Sequence, residues 1–289
     1  MEEQKQVEVS VIIPFYHGNT YMKALLRNLQ SNAEHLEGKH IEAVIINDSP
    51  ECEVIINREW CPDVFIRVIC NERNLGIHQS RVCGIRLASG NYILMLDQDD
   101  SIMDNAIASQ LAKIGDTDII VANGKDENPN HPGIIYGSLR HQKALLKRMN
   151  YFAIGTQIVS PGQCLIKKTV IPKEWMEHTV DVNGADDLLL WLLLLTPSLH
   201  WQLNPEVLYC HRDTGKNVSG DLEQMEESVE NVIHILDGLH NISSKERKVC
   251  RRRFLMRRLY EGKGSIYKAA AFLRYPDIAL RIVLAKCGM

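Results

Sequence analysis

Residues 74–100, NLGIHQSRVCGIRLASGNYILMLDQDD, decide how this chain is read. Ile77, Val82, Ile85 and Leu87 recur at roughly helical spacing, and Ser89-Gly90 ends that helix. Residues 92–96, YILML, are an apolar run of the length of a buried parallel strand. The run stops at Asp97-Gln98-Asp99-Asp100. Open α/β sheets bind ligands just past the carboxyl ends of their strands, so a core strand here delivers acidic groups to a binding edge. Alternate residues of an extended chain face one side, which lets Asp97 and Asp99 converge while Asp100 points away. Two neighbouring carboxylates repel unless a cation lies between them. So few hard oxygen donors suit Mg2+ or Mn2+, completed by a substrate's phosphates. An isolated DxDD is more simply an acidic turn, with Asp100 or Asp104 capping the next helix. Its place at the end of this strand favours the metal.

Working outward, strands and helices alternate. Residues 7–13, 41–46, 64–69 and 119–121 read as further strands. Tyr21, Met22, Leu25, Leu26 and Leu29 mark one face of a helix between the first two. Such alternation predicts an α/β fold: a doubly wound, mostly parallel sheet with helices on both faces. Pattern weakens between Gly124 and Gly155, where the run from Asn128 to Gly133 signals a loop. Residues 163–167 then read as a strand, 186–195 as a buried helix, and 208–212 as an edge strand. From about Asp221 the pattern is helical, with Val229, Val232, Ile233 and Leu236 on one face. No GxGxxG follows the first strand and GxxxxGK[ST] is absent, which argues against a dinucleotide dehydrogenase and a P-loop enzyme.

The 289 residues hold 45% hydrophobic and 24% charged side chains, ordinary for a soluble globular protein with a sizeable core. The net charge of −3 is unevenly spread. Residues 245–289 carry 13 Lys and Arg against 3 Asp and Glu, a charge of +10, so the preceding 244 residues carry −13. Eight cysteines are scattered without CxxC spacing and read as reduced cytosolic thiols. The polar MEEQKQ start reads as lacking a signal peptide, and the longest apolar run, residues 188–195, is too short to span a bilayer.

Several of these pieces together resemble the family 2 glycosyltransferases, inverting sugar-nucleotide enzymes of the GT-A fold. VSVIIPFYHG (9–18) is similar to the family's first strand with its Pro-x-Tyr-Asn turn, with His17 for the Asn. VIINDSP (44–50) resembles its Val-Asp-Asp-Gly-Ser segment, with Asn47 and Ser49 departing from it. Asn74, Gly76, Ser80, Arg81 and Gly84 follow its Asn-x-Gly, Ala-Arg-Asn-x-Gly run, and SGNYILMLDQDD (89–100) its Asp-x-Asp strand. GADDLLLWL (184–192) resembles the family's Glu-Asp helix start, with Asp186 for Glu and Asp187 in the place of the catalytic base. LYCHRDTGKNVS (208–219) is similar to its Tyr-Arg-x-His…Ser stretch; Arg212 and Ser219 fit, and Thr214 stands where the family often carries His. His211 lies close by, although a polar loop histidine on an edge strand is its plainer reading.

The resemblance implies a role for each of these residues. Pro14, Tyr16, Asp48, Asn74, Arg81 and Asp97 would bind the nucleotide. Asp97 and Asp99 would hold Mn2+ or Mg2+. Asp187 would be the base, with Asp186, His211 and Arg212 as further members of the site. The expected organisation is a catalytic domain over residues 1–220, with a nucleotide half to about 122 and an acceptor half beyond, then a basic helical extension over 221–289. The expected activity is metal-dependent inverting transfer from a nucleotide sugar, UDP-linked by expectation, to the hydroxyl of a carbohydrate or lipid-linked acceptor in cell-surface polysaccharide or glycolipid synthesis. Alternatives are a non-catalytic binding protein on a degenerate transferase fold and a nucleotidyltransferase. In the tail, Val249, Phe254, Leu255, Leu259, Tyr260 and Ile266 interleave with cations. That reads equally as a helix on an anionic membrane surface and as an accessory packed layer. The implied location is cytoplasmic, and on the inner face of the plasma membrane under the first of those two readings of the tail. No motif supports nucleic-acid binding.

Overall fold

In the computed structural model, which describes residues 6–128, 132–215, 220–260 and 264–286, the apolar runs become one nine-stranded sheet. The strands are β1 (Val7–Phe15), β2 (His40–Asn47), β3 (Val64–Cys70), β4 (Tyr92–Met95), β5 (Ser101–Ile102), β6 (Ile119–Asp126), β7 (Gly133–Ile134), β8 (Cys164–Lys167) and β9 (Trp201–His211). Their order is β3-β2-β1-β4-β8-β6-β9-β5, with β7 beside β6. The strands β3, β2, β1 and β4 are mutually parallel, β8 enters antiparallel to β4 and β6, and β6 and β9 are parallel.

Alternation along β1 sets the two faces of the sheet. Val9, Val11, Ile13 and Phe15 share a core with Met22, Leu25, Leu26 and Leu29 of α1 (Asn19–Glu34) and with Ile107 and Ile114 of α3 (Ala106–Ile114). The opposite face receives α2 (Ile77–Leu87), whose Gly84 comes so close that an added Cβ would lie 2.4 Å from Ile12 Cγ2. Only a glycine admits that approach.

Two readings change. The segment read as an edge strand over 208–212 is not an edge: up to His211 it is the end of β9, which pairs with β6 on one side and β5 on the other, and Arg212 lies past it. Its Tyr209 and Cys210 are buried accordingly. Gln163 belongs to a 3-10 turn, Pro161–Gln163, and the strand begins at Cys164. The weakly patterned region holds the end of β6, β7, α4 (Leu139–Lys143) and α5 (Arg148–Ala153). Ser219 and residues 129–131 of the expected loop lie outside the described residues.

By contacts the chain divides into two compact units that interleave along the sequence. The first, Met1–Ile135, Ser160–Ile171 and Pro197–Lys216, contains the whole sheet. The second comprises Tyr136–Val159, Pro172–Thr196 and Asn217–Met289. It is helical: α4, α5, α6 (Lys173–Glu177), α7 (Asp186–Leu194), α8 (Leu222–Gly238), α9 (Ser244–Tyr260), α10 (Ser265–Arg274) and α11 (Pro276–Lys286). Arg148 braces it, donating from Nη1 to Leu195 O at 2.9 Å past the end of α7 and from Nε to Glu246 at 2.7 Å.

Candidate active site

The acid turn follows β4 directly. Leu96 still donates to Ile12 O at 3.0 Å, and Asp100 N closes the turn on Asp97 O at 3.1 Å. The three carboxylates have different surroundings. Asp97 Oδ1 accepts from Arg81 Nη2 at 2.6 Å, and the Arg81 side chain is only 4% exposed. Asp100 is buried and faces the end of β9, accepting from the Tyr209 hydroxyl and, at 3.0 Å, from the amide of Arg212. His211 Nδ1 lies 3.3 Å from the same carboxylate, and that partner raises its pKa against the opposing effect of burial. Asp99 lies between them. Burial first, then the charges of Asp100 and Asp97, push its carboxyl up to about 6.

That crowding tests whether a divalent cation suits the turn. A carboxylate raised by burial and by two like charges is one that a nearby cation stabilises. Among the described residues no group of three or more His, Cys, Asp or Glu side chains forms a cage. A cation here would rely on one or two carboxylates and on ligand oxygens, the pattern Mg2+ and Mn2+ accept. Asp99, with Asp97 held by Arg81, fits that donor set.

The walls of the turn come from β1 and β2. Asp48 sits buried past β2 and accepts from Asn71 Nδ2 at 2.7 Å, Leu75 N at 2.7 Å and Gly76 N at 2.8 Å. It thereby holds the loop that carries Asn74, whose own Oδ1 accepts from Gly76 N at 3.0 Å. Asn47 departs from the family's acid for a local reason. Its Nδ2 donates to Cys52 O at 2.8 Å, which a carboxylate could not do, while its Oδ1 accepts from Ser49 N and Oγ at 3.0 Å each. His17 has φ 48, the left-handed region that His, like Asn, populates more readily than most residues. Its amide donates to Ser49 Oγ at 3.1 Å, and its Nε2 lies 3.1 Å from Glu51. Pro14 lies on β1 opposite Ile46 of β2. Tyr16 is half exposed, its ring edge-on to His17 at 4.5 Å.

Thus one unit gathers Pro14, Tyr16, Asp48, Asn74, Arg81, Asp97, Asp99, His211 and Arg212. Asp186 and Asp187 belong to the other, at the start of α7. Asp186 is buried and its carbonyl accepts from Trp175 Nε1 at 2.9 Å. Asp187 is half-buried, with Oδ1 accepting from the Leu188 amide at 2.6 Å. The loop before them is tied to α8: Ser228 Oγ accepts from Ala185 N at 2.8 Å and donates to Val182 O at 2.6 Å. Gln98 and Tyr209 escaped the sequence reading. Gln98 is the variable position of the Asp-x-Asp motif, and nothing local marks it. Tyr209 lay in the stretch read as an edge strand, and that reading carried no sign of a buried partner.

Comparison with known proteins agrees with this architecture. The family model described as Glycosyl transferase family 2 matches residues 10–175. An uncharacterized glycosyltransferase of Haemophilus influenzae is 32% identical over 239 residues, covering 77% of this chain and 74% of that one. The minor teichoic acid biosynthesis protein GgaB of Bacillus subtilis is 26% identical over 112 residues, 38% of this chain and 12% of GgaB. The structure of S. aureus TarS 1–349 in complex with UDP-GlcNAc matches with a TM-score of 0.64 at 16% identity, over 94% of this chain and 78% of that one. The fold is therefore that of the GT-A glycosyltransferases. The chain belongs to glycosyl transferase family 2.

Proposed function

We propose that the protein transfers a sugar from a UDP-sugar to a hydroxyl of a cell-surface polymer or glycolipid precursor, with inversion at the anomeric carbon. One observation carries this reading: an acid turn at the end of the central strand β4, pinned by Arg81 on one side and by Tyr209 and the Arg212 amide on the other. The TarS complex contains UDP-GlcNAc and GgaB is named for teichoic acid biosynthesis, which supports the donor and the polymer class.

The chain's own groups divide the work. Tyr16, Pro14, Asn74 and the loop held by Asp48 line the nucleotide side. Arg81 and Asp97 form a preset ion pair there, and the planar guanidinium suits a base edge or a phosphate. Asp97 and Asp99 would hold Mn2+ or Mg2+, which when bound neutralises charge on the leaving diphosphate. Asp187 takes the proton of the acceptor hydroxyl. As that O–H bond breaks, the oxygen bonds to the anomeric carbon, and the bond to the diphosphate breaks with its electron pair leaving on phosphate. The dipole of α7 favours negative charge at the helix's first turn, where Asp187 stands, which suits a group that must accept a proton.

Release of UDP from UDP-sugars, with and without an added acceptor polymer, tests the proposal. Acceptor-stimulated release that Asp187→Asn abolishes is the expected result. Tight UDP-sugar binding with no release under any condition would identify a binding protein on a transferase fold.

A further inference from the structure

The cationic tail offers two kinds of helix to a surface, and the fold uses them differently. α9 is turned inward: Cys250, Arg253, Phe254 and Met256 are buried, Phe254 to 8% exposure. Val249 and Leu259 pack against the cluster of Ala153, Met256, Ala271, Tyr275 and Ile278. Most of the apolar residues that the sequence offered as a lipid-facing stripe on this helix are therefore used in packing.

α10 does the reverse. Of its ten residues only Ala271 is buried. Ile266 and Leu273 are each 83% exposed. Seven residues apart, they stand on one line along the helix, on the side away from Ala271. α11 continues the pattern, burying Ile278 while leaving Leu280 59% and Val283 54% exposed, three residues apart on one face. A single exposed leucine needs no account, but successive helices with outward aliphatic stripes do.

Charge selects the occupant. Residues 245–289 carry 13 cations against 3 carboxylates. Arg274 stands exposed on α10 about a quarter-turn from the stripe and makes no ion pair among the described residues, while Lys268 lies on the other side, over the Tyr260 ring of α9 at 5.3 Å. α10 and α11 hold Lys268, Arg274, Arg281 and Lys286 against the single acid Asp277, so a second copy of the same face would set like charge against like. Nucleic acid would satisfy the cations but not the isoleucine and leucines. An anionic lipid surface satisfies both, through headgroup phosphates and the acyl boundary.

We infer that α10, continued by α11, is a peripheral membrane-binding face: Ile266, Leu273, Leu280 and Val283 enter the headgroup boundary of an anionic bilayer, and Arg274 beside the stripe meets its phosphates. This does not depend on the reaction proposed above, because binding is read without donor or acceptor. No described helix is long and apolar enough to cross a membrane, so the contact is interfacial.

The test is co-sedimentation of the full-length protein with vesicles of phosphatidylglycerol and phosphatidylcholine, and with phosphatidylcholine alone, at low and high salt. The wild type should pellet with the anionic vesicles and be released by salt, as screening requires. The double variant Ile266→Ser/Leu273→Ser should bind at least about tenfold more weakly, since one such side chain removed from water is worth about a factor of ten. Arg274→Gln should weaken the salt-sensitive part. Ile266, Leu273 and Arg274 are all exposed, so circular dichroism and thermal midpoints should match the wild type. The inference fails if the serine variant pellets as well as wild type, or if wild type ignores anionic vesicles. It also fails if light scattering shows a dimer that the serine variant splits, which would make the face a self-interface.

Discussion

The side-chain amide of Gln98 spans the backbone of Tyr16 in both directions: Tyr16 N donates to Oε1 and Nε2 donates to Tyr16 O, each at 3.0 Å. The middle residue of the acid turn thereby holds the β1–α1 loop, and Gly18 makes room for it. A Cβ at Gly18 would lie 2.0 Å from Gln98 Oε1. We expect Gln98→Ala and Gly18→Ala each to weaken UDP binding about tenfold, the scale of one or two lost hydrogen bonds, with little change in thermal midpoint. Because both act on one clamp, the double variant should be no worse than the more damaging single one. Calorimetric titration of the three variants checks this, and strictly additive losses would disprove the shared clamp.

The two acids opening α7 should separate in kinetics. Asp187→Asn keeps shape and removes the proton acceptor, so turnover should fall about 100- to 10,000-fold with UDP-sugar affinity unchanged. Asp186 is buried beneath the helix start, and Asp186→Asn should act mainly on stability. Normal turnover in Asp187→Asn would move the base elsewhere.

Adjacent residues of the acid turn should respond differently to metal removal. UDP affinity should fall in EDTA and be restored by Mn2+. Asp99→Asn should bind UDP weakly with or without the cation. Asp100→Asn removes the acceptor shared by Tyr209 and the Arg212 amide, so it should lower the melting temperature. Calorimetry and thermal melts on the two variants distinguish a ligand from a structural acid. Equal UDP affinity for wild type in EDTA and Mn2+ would remove the metal from the mechanism.

Acid stability should report Glu42, buried on β2. Burial raises its carboxyl, but hydrogen bonds from Ser10 Oγ and the Ser89 amide, with the charge of Arg67, outweigh that and leave it lowered overall. A lowered folded value means the ionised form is the stabilising one. Its contribution is complete above the ordinary glutamate range, near about 4.3, and is lost as the pH falls through the folded value. Glu42→Gln should cost about 1–3 kcal/mol at neutral pH. Urea melts should show the gap between wild type and variant closing in acid; a gap that widens there would reverse the sign.

What the sequence determined by itself was local. Apolar period and length marked β1, β2, β3, β4 and α7, because burying one face of an element requires the same repeat wherever the element ends up. The order of motifs identified the family, and the Asp-x-Asp turn at the end of β4 followed from strand length alone. What only the tertiary structure decided was which groups meet. Asp100 is held by Tyr209 and the Arg212 amide, 109 and 112 residues away, and Asp48 by the Leu75 amide 27 residues on. Tyr209 and Cys210 became interior because β5, two residues long, pairs beyond them. In the tail, α9 and α10 are both amphipathic by composition, yet α9 packs inward and α10 leaves its stripe outside. Periodicity says that a helix has an apolar face; only the packed neighbours decide whether that face is covered.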